Sequence, residues 1–194
     1  MSDAERIIGL YERNATQWDA DRGKNLFERC WLDRFLDLLP ERPRVFDLGC
    51  GSGEPIARYL VERGCRVTGV DSSESMIAMC AARFPDHEWI AADMRTLNLG
   101  ARFDGVIAWD SFFHLTRDDQ RAMFPVFTEH TARGAALMFT SGPHDGEAVG
   151  EMWGERVYHA SLSPDEYRAL LAGHGFDVVA HTAEDAACAA IRSG

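Results

Sequence analysis

Residues 45–55 read VFDLGCGSGEP, an apolar run that ends in three alternating glycines, Gly49, Gly51 and Gly53. The run before the glycines has the length and composition of a buried strand, and the residues after it have helical period. Glycines in such a strand-to-helix turn let the backbone bend tightly and approach a ligand closely, next to the positive N-terminus of a helix. The stretch therefore predicts a loop that holds a nucleotide-like cofactor.

Apolar runs of strand length recur along the rest of the chain, and segments of helical length and period separate most of them. The runs are Arg44–Leu48, Arg66–Val70, Glu88–Ala92, Phe103–Trp109 and Ala135–Thr140. Alternation of strand and helix is typical of a parallel sheet with helices on both faces. A length of 194 residues with 46 % hydrophobic content is sufficient for one core. We therefore expect a single α/β domain.

Two helix starts and one long loop are visible in the second half of the chain. Thr116 and Ser163 are hydroxyl residues placed as helix N-caps, and Ser163 is followed by proline and a capping-box glutamate. Between them, Ser141–Ser161 is expected to be irregular, and loops of that length are usually functional or mobile. Gly175–Ala180 and Ala186–Ile191 are the segments from which a final strand pair is expected, the second being Ala-rich and weakly strand-like.

A second element strengthens the cofactor prediction. Residues 67–73 read VTGVDSS, which places Asp71 at the carboxyl end of the next strand, 22 residues after Gly49. A carboxylate at that position can accept hydrogen bonds from both ribose hydroxyls of an adenosine cofactor. Capping of the following helix is the alternative role for this acid.

The spacing of the glycines separates one class of cofactor from another. A dinucleotide fingerprint reads G-x-G-x-x-G, whereas this loop reads G-x-G-x-G and has Asp47 two residues before its first glycine. An acid beside the loop repels a pyrophosphate, but it attracts the ammonium group of a cofactor that carries an amino acid. The pattern is therefore wrong for a nicotinamide dehydrogenase.

Three motifs, DLGCGSG at 47–53, GVDSSESM at 69–76 and AADM at 91–94, closely resemble those of the class I methyltransferases that use S-adenosylmethionine. The resemblance covers roughly Val45 to Leu115. It implies a Rossmann-like, doubly wound, seven-stranded and mostly parallel sheet with a reversed final strand and an N-terminal helical lid. The whole chain, residues 1–194, would then be one methyltransferase domain, with a lid at 1–40, a cofactor-binding core at 43–141, and an acceptor-side loop with a C-terminal helix and strand pair at 142–194.

The resemblance also implies roles for individual residues. The glycine loop would pass along the amino-acid portion of S-adenosylmethionine, and Asp71 would hold its ribose. Met76 would lie against the adenine, Asp93 would accept its amino group, and Met94 would contribute a backbone amide. Met76 in the core and Asp93 as a strand-end cap are the alternatives. The predicted cofactor-binding set is Tyr11, Trp18, Asp47, Gly49, Cys50, Gly51, Gly53, Asp71, Ser72, Met76, Asp93, Met94 and Trp109, and no metal site is expected.

The N-terminal residues 11–19, YERNATQWD, are similar to the Tyr-x-x-x-Ala-x-x-(Tyr or Trp)-Asp stretch that precedes the core in many methyltransferases of small molecules. In that family the stretch forms a lid whose aromatic residues close over the cofactor. The resemblance assigns this role to Tyr11 and Trp18. A tryptophan on a short amphipathic helix is as often a core anchor, so both roles stay open for Trp18.

The fourth apolar run ends in WDSFFHL, residues 109–115, a position that faces donor and acceptor in the resembling enzymes. A hydroxyl acceptor needs a base, and a histidine suits that task near neutral pH. His114 is the first candidate for a catalytic residue, with packing or helix capping as its alternative role. His144 and the adjacent Tyr158-His159 pair are second candidates. Methylation of a neutral amine or a thiolate requires no base.

Composition limits the partners. The formal net charge of −11 disfavours phosphate backbones and anionic lipid, and the Asp-Pro-Pro-Tyr type of motif, which enzymes acting on DNA bases or glutamine carry, is absent. The N-terminus is polar and acidic, and no apolar run approaches the about 20 residues of a membrane span. Five scattered cysteines without a C-x-x-C pair fit free thiols in a reducing cytoplasm. We expect a cytoplasmic protein with a small-molecule acceptor, no nucleic acid and no membrane, and leave its oligomeric state open.

Three functions fit the sequence. The first is in-line transfer of a methyl group from S-adenosylmethionine to an O, N or S atom of a small molecule, with S-adenosylhomocysteine as product. The second is the same transfer to a protein or RNA. The third is a non-catalytic S-adenosylmethionine-binding module, because a fold alone does not prove activity.

Overall fold

The computed structural model describes residues 3–182. Its helices are α1 (Asp3–Arg13), α2 (Ala15–Arg22), α3 (Arg29–Leu36), α4 (Ile56–Glu62), α5 (Glu74–Arg83), α6 (Arg117–His130) and α7 (Pro164–Gly173). Its strands are β1 (Arg44–Leu48), β2 (Arg66–Asp71), β3 (Glu88–Ala91), β4 (Phe103–Ala108), β5 (Thr131–Phe139), β6 (Gly146–Met152) and β7 (Glu155–Ser161). Each of the five expected strands is present, and β5 begins earlier than expected.

The five strands β1 to β5 form one parallel sheet in the order β3-β2-β1-β4-β5. Neighbouring side chains on β1 face opposite ways: Val45 packs with α3 and α4, whereas Phe46 packs with α6 and α7. The predicted α/β sheet with helices on both faces is therefore confirmed. The strand order reverses between β1 and β4, and ligands of such sheets bind at the carboxyl ends of the strands near this reversal.

The seven-stranded sheet is not what residues 3–182 form. Strands β6 and β7 make a separate antiparallel hairpin inside the stretch that was expected to be irregular. Its two-residue turn is Trp153-Gly154, with φ of 54° and 76°, which is the left-handed backbone that tight hairpin turns require. Gly175–Ala180 is not a strand, and Ala186–Ile191 lies outside the described residues.

The hairpin packs on the N-terminal helices instead of extending the sheet. Ile7 and Leu10 of α1 form an apolar cluster with Val157, Tyr158 and Ala160 of β7. The helix α1 also contacts the residues after β2, since Glu12 accepts the hydroxyl of Ser73.

The expected helix starts are confirmed. The Thr116 hydroxyl accepts the Asp119 amide at the start of α6, and the Ser163 hydroxyl accepts the Glu166 amide at the start of α7. Within residues 3–182, no helix is both long and apolar enough to cross a membrane.

Three of the five cysteines, Cys50, Cys65 and Cys80, are buried free thiols, as expected. Cys188 lies outside the described residues.

Candidate active site

A cavity of about 860 Å³, its open mouth included, lies at the carboxyl ends of the parallel strands and beneath α1 and α2. Ten of the residues selected from the sequence line it: Tyr11, Trp18, Gly49, Gly51, Asp71, Ser72, Met76, Asp93, Met94 and His114. The structure thus brings together residues from the lid, the glycine loop and the ends of three strands.

The glycine loop is shaped by close neighbours on both sides. Gly49 has φ of 77°, and a Cβ there would lie 2.2 Å from the Cβ of Ser111. Gly51 has φ of 53°, and its Cβ would lie 2.7 Å from the ring of Trp18. Both positions combine left-handed backbone with contacts too short for a side chain. The space beside Gly49 and Gly51, here called the cradle, stays open only because both residues are glycine.

A Gly49→Ala substitution should destabilise the fold more than the same change at Gly64. Both residues have positive φ, but no atom lies within 4 Å of a Cβ at Gly64. We expect Gly64→Ala to cost about 1 kcal/mol through its backbone conformation alone, and Gly49→Ala to cost at least about twice that, because Ser111 must also move. Urea denaturation of the two variants measures the difference. Equal losses of stability would contradict the close packing of the loop against Ser111.

Asp71 is held by the backbone at the end of β2. One carboxylate oxygen accepts the Gly51 amide and the other accepts the Ser73 amide, both at 2.9 Å. Burial raises the pKa of Asp71, and these backbone hydrogen bonds act in the opposite direction. A carboxylate can accept about four hydrogen bonds, so each oxygen keeps capacity for a ligand hydroxyl in the cavity.

Asp47 lies beside Asp71 but does not line the cavity. Its side chain is 3 % exposed, and burial, followed by the charge of Asp71, raises its pKa to about 7. Removal from water penalises the charged form of a carboxyl group, and a neighbouring negative charge adds to that penalty. A cation at the glycine loop would therefore stabilise the charged forms of both acids.

The other predicted residues outside the cavity support the loop. Cys50 lies against the backbone of Gly69, and Gly53 lies against Phe84. Trp109 is buried in the apolar cluster on the α3–α4 face of the sheet. Direct contact of these three residues with a cofactor stays a prediction.

Asp93 is part of a charged network that the sequence did not predict. The guanidinium of Arg95 contacts its carboxylate at 2.5 Å and reaches Asp119 at 3.2 Å. Burial opposes ionisation of Asp93, but the hydrogen bonds from Arg95 prevail and hold its pKa below the usual range. The network fixes the Asp93 carboxylate at one end of the cavity, where Met94 and Met76 also lie.

His114 is bonded through both ring nitrogens. Its Nδ1 lies 2.9 Å from the carbonyl oxygen of Tyr158, and its Nε2 lies 2.9 Å from the hydroxyl of Tyr11. Because a carbonyl can only accept, Nδ1 carries the proton, and Nε2 of the neutral ring accepts from the tyrosine. Burial lowers the pKa of His114 to about 4. The ring is therefore neutral at physiological pH, with its lone pair on Nε2.

Two acids anchor α1 and α2 to the core. Glu12 accepts the hydroxyls of Ser73 and Ser75 at 2.5 and 2.6 Å. Asp19 forms a two-pronged ion pair with Arg83, with both contacts at 2.7 Å. Each cavity-lining aromatic residue of the lid segment directly precedes one of these anchors, Tyr11 before Glu12 and Trp18 before Asp19, although the lid function itself remains a prediction.

The tip of the β6–β7 hairpin makes a third contact with this segment. The indole N–H of Trp153 donates to Asp21 at 2.9 Å, and its ring meets the ring of Tyr11 edge-on at 6.4 Å. Arg13 pairs with Glu155 at 2.5 Å on the other side of the turn. The hairpin thus helps to position Tyr11 above His114.

Two further cavity residues follow β4 and were not selected from the sequence. Asp110 has φ of 49°, and Ser111 donates its hydroxyl to the Leu48 carbonyl at 2.6 Å. Their position at a strand end was visible in the sequence, but the turn that directs them into the cavity was not.

A parallel sheet of order 3-2-1-4-5 with a glycine loop after β1 and an acid after β2 defines a Rossmann-like nucleoside-binding domain. Residues 45–134 match a protein family described as "methyltransferase domain". This segment, somewhat less than half of the chain, is therefore similar to methyltransferase domains.

Curated relatives match part of the chain. It is 36 % identical over 101 residues to trans-aconitate 2-methyltransferase from Azoarcus sp. (strain BH72), a match that covers 51 % of this chain and 39 % of the relative. It is 30 % identical over 101 residues to dTDP-3-amino-3,4,6-trideoxy-alpha-D-glucopyranose N,N-dimethyltransferase from Streptomyces venezuelae, covering 51 % and 42 %. The matched segment thus spans about two fifths of the length of each relative.

Solved structures share the fold over a longer stretch. Burkholderia thailandensis 1,6-didemethyltoxoflavin-N1-methyltransferase, solved with 1,6-didemethyltoxoflavin and S-adenosylhomocysteine, superposes with a TM-score of 0.73 at 21 % identity, covering 92 % of this chain and 80 % of that one. A similarity at this level of identity shows the fold.

Proposed function

We propose that this chain transfers the methyl group of S-adenosylmethionine to a small-molecule acceptor. The observation that carries the proposal is the single cavity-lining set of glycine loop, Asp71, Met76, Asp93, Tyr11 and His114. When bound, S-adenosylmethionine supplies a methyl group activated by its sulfonium, so transfer needs mainly an acceptor held in line behind that carbon.

The residues present fit this cofactor. The cradle at Gly49 and Gly51 takes the amino-acid portion, where Asp47 and Asp71 favour an ammonium group. Asp71 accepts the ribose hydroxyls with the oxygen lone pairs that its backbone partners leave free. Met76 packs on the adenine, and Asp93, fixed by Arg95, accepts the adenine amino group beside the Met94 amide.

Tyr11 and Trp18 cover the cavity, and His114 orients the Tyr11 hydroxyl through Nε2. For a hydroxyl acceptor, that same nitrogen is the base, and the proton reaches it by way of Tyr11: the acceptor gives its proton to the Tyr11 oxygen as Tyr11 passes its own proton to Nε2. The neutral ring can take up this proton, although a pKa of about 4 makes it a weaker base than a histidine near pH 7.

A small acceptor is favoured over a macromolecule because residues of α1 and α2 line the cavity at the carboxyl ends of the strands, and Glu12 and the hairpin tip hold these helices in place. The net charge of −11 opposes RNA as the acceptor. A cytoplasmic location is part of the proposal, since small-molecule methylation draws on the intracellular cofactor pool. The second candidate, a protein methyltransferase, requires α1 and α2 to move away from the sheet.

Release of S-adenosylhomocysteine in the presence of pooled small molecules tests the proposal. We expect turnover with at least one pool and none with unstructured peptides or RNA. Turnover only with peptides or RNA would show that the acceptor is a macromolecule and not a small molecule. Cofactor binding without transfer to any acceptor would favour the non-catalytic module.

Binding of S-adenosylmethionine should weaken as the pH falls below 7. The raised pKa of Asp47, about 7, means that the free protein holds a proton there at lower pH. An ammonium group at the loop favours the charged carboxylate and lowers this pKa, so binding releases the proton. We expect the affinity to approach a tenfold loss per pH unit between about pH 6.5 and 5.

Calorimetric titrations across this range measure how the affinity changes with pH. Asp47→Asn is the control because it removes the carboxyl group that releases the proton. The variant should bind with an affinity that no longer depends on pH in this window. An equally steep slope in wild type and variant would contradict the role of Asp47.

A further inference from the structure

We propose that the methyl acceptor is a small amine whose protonated form is bound by Asp110. The proposal rests on the methyltransferase function and names the acceptor class at the same site. Its basis is the set of charges and hydrogen-bonding groups that the described part of the chain presents where β4 ends.

Asp110 is placed in the cavity by the backbone. It lines the cavity directly after β4, its φ is 49°, and its amide donates to the hydroxyl of Thr140 at 2.7 Å. Left-handed backbone at a residue other than glycine is uncommon and marks a position that the surrounding structure fixes. The carboxylate acts on the Tyr11 phenol, whose pKa it helps to raise after the larger effect of burial. Asp110 and Tyr11 thus face the same space.

Other charges on this side of the cavity are already compensated. Arg95, the only cation among the described lining residues, is bonded to Asp93 and Asp119. Arg22 lowers the pKa of Asp110, but it does not line the cavity and is ion-paired with the buried Glu28. The space beside Asp110 therefore carries net negative potential.

Two neutral groups that do not line the cavity, Thr140 and Trp109, stabilise the charged Asp110 carboxylate, whereas the neutral groups that line the cavity beside it present lone pairs. The hydroxyl proton of Tyr11 is donated to His114, which leaves the phenolic oxygen as an acceptor. His114 itself stays neutral because burial keeps its pKa far below physiological pH. The Ser111 hydroxyl proton is donated to the Leu48 carbonyl. A ligand at this end of the cavity meets a carboxylate and hydrogen-bond acceptors.

An ammonium group satisfies such a site, since it has only donors and a positive charge. A carboxylate or phosphate ester would place a second negative charge next to Asp110 without a free cation to pair with it, which is costly in a partly desolvated cavity. The acceptor is thereby distinguished from anionic acids. Before transfer, the bound ammonium would give one proton to the Asp110 carboxylate, whose pKa burial raises, and this frees the nitrogen lone pair. The nitrogen would then bond to the methyl carbon as the sulfonium S–C bond breaks, which yields the N-methylated ammonium and S-adenosylhomocysteine.

Three probes with one skeleton test the assignment: benzylamine, benzyl alcohol and benzoate. Each is titrated into the protein saturated with S-adenosylhomocysteine at pH 7, and binding is followed by saturation-transfer NMR. We expect benzylammonium to bind more tightly than the other two. Asp110→Asn, which tolerates the same backbone, should raise its Kd about tenfold. The control Asp165→Asn changes an exposed acid on α7 and should leave this Kd unaltered.

The outcomes separate the two proposals. Calorimetry first establishes whether S-adenosylhomocysteine binds, and no binding would refute the proposed function itself. If it binds, then equal signals from the three probes, no signal from any, preference for benzoate, or an ammonium affinity unchanged in Asp110→Asn would each overturn the amine assignment alone.

Discussion

Asp71→Ala is expected to lower the affinity for S-adenosylmethionine by about 1–3 kcal/mol, or roughly 5- to 150-fold, the scale of losing hydrogen bonds to a charged group. The carboxylate oxygens face the cavity while accepting the Gly51 and Ser73 amides. The change therefore removes the ribose contacts and also loosens the glycine loop. Asp71→Asn, which keeps the shape and one acceptor oxygen, should lose less.

Calorimetric titration of both variants measures the effect, and Asp165→Asn serves as the unchanged control. Because burial raises the pKa of Asp71, its removal should not unfold the protein, and thermal unfolding checks this. Unaltered affinity in a folded Asp71→Ala variant would sink the ribose assignment.

His114→Asn is expected to reduce turnover of a hydroxyl acceptor about a hundredfold, while the Kd for S-adenosylmethionine changes less than about threefold. A general base typically raises the reaction rate 10²–10⁴-fold. The low pKa of His114 places its contribution at the lower end of that range. The asparagine amide can still donate to the Tyr158 carbonyl as Nδ1 does, but it lacks Nε2. The variant therefore tests the nitrogen that faces Tyr11 and the cavity.

Rates of S-adenosylhomocysteine release at saturating cofactor give the comparison, and His181→Asn, at an exposed histidine, is the control. For an amine acceptor that Asp110 binds as its ammonium, His114 is not the group that takes up the proton, and the loss should be smaller and reflect the position of Tyr11. Between pH 5.5 and 8 the wild-type profile should show no step from His114, since its pKa is about 4. Unchanged turnover with a hydroxyl acceptor would remove His114 from the catalytic residues.

The sheet, and the part of the cavity formed by the glycine loop and Asp71, were predictable because their determinants are local. Apolar runs with strand length, hydroxyl N-caps at Thr116 and Ser163, and the glycines between β1 and α4 each act within a few residues. The positions of Gly49, Gly51 and Asp71 follow from the same rule, since parallel strands end at one edge of the sheet. These residues meet in the cavity as expected.

The hairpin was missed for a different reason. Its turn is Trp153-Gly154 rather than the Asn-Gly or Asp-Gly pair that usually signals such a turn, and β6 is mostly exposed and lacks an apolar face of its own. What stabilises the hairpin is packing of β7 on Ile7 and Leu10, about 150 residues away along the chain. A contact of this range leaves no local pattern in the sequence.

The acceptor side depends on pairings between distant side chains as well. Arg95 with Asp119, Tyr11 with His114 and Trp153 with Asp21 are each set by the tertiary fold. The sequence identified Tyr11 and His114 separately but not the bond between them. The sequence places Asp110 at the end of a strand. Only the left-handed turn in the folded chain directs it into the cavity.

Calorimetric titration of the purified protein with S-adenosylmethionine, and in parallel with NAD, tests whether the cavity holds S-adenosylmethionine rather than a dinucleotide. The glycine spacing, the acid beside the loop and the cradle at Gly49 and Gly51 predict micromolar binding of S-adenosylmethionine and no binding of NAD. Binding of NAD, or no binding of S-adenosylmethionine by the folded protein, would contradict the account.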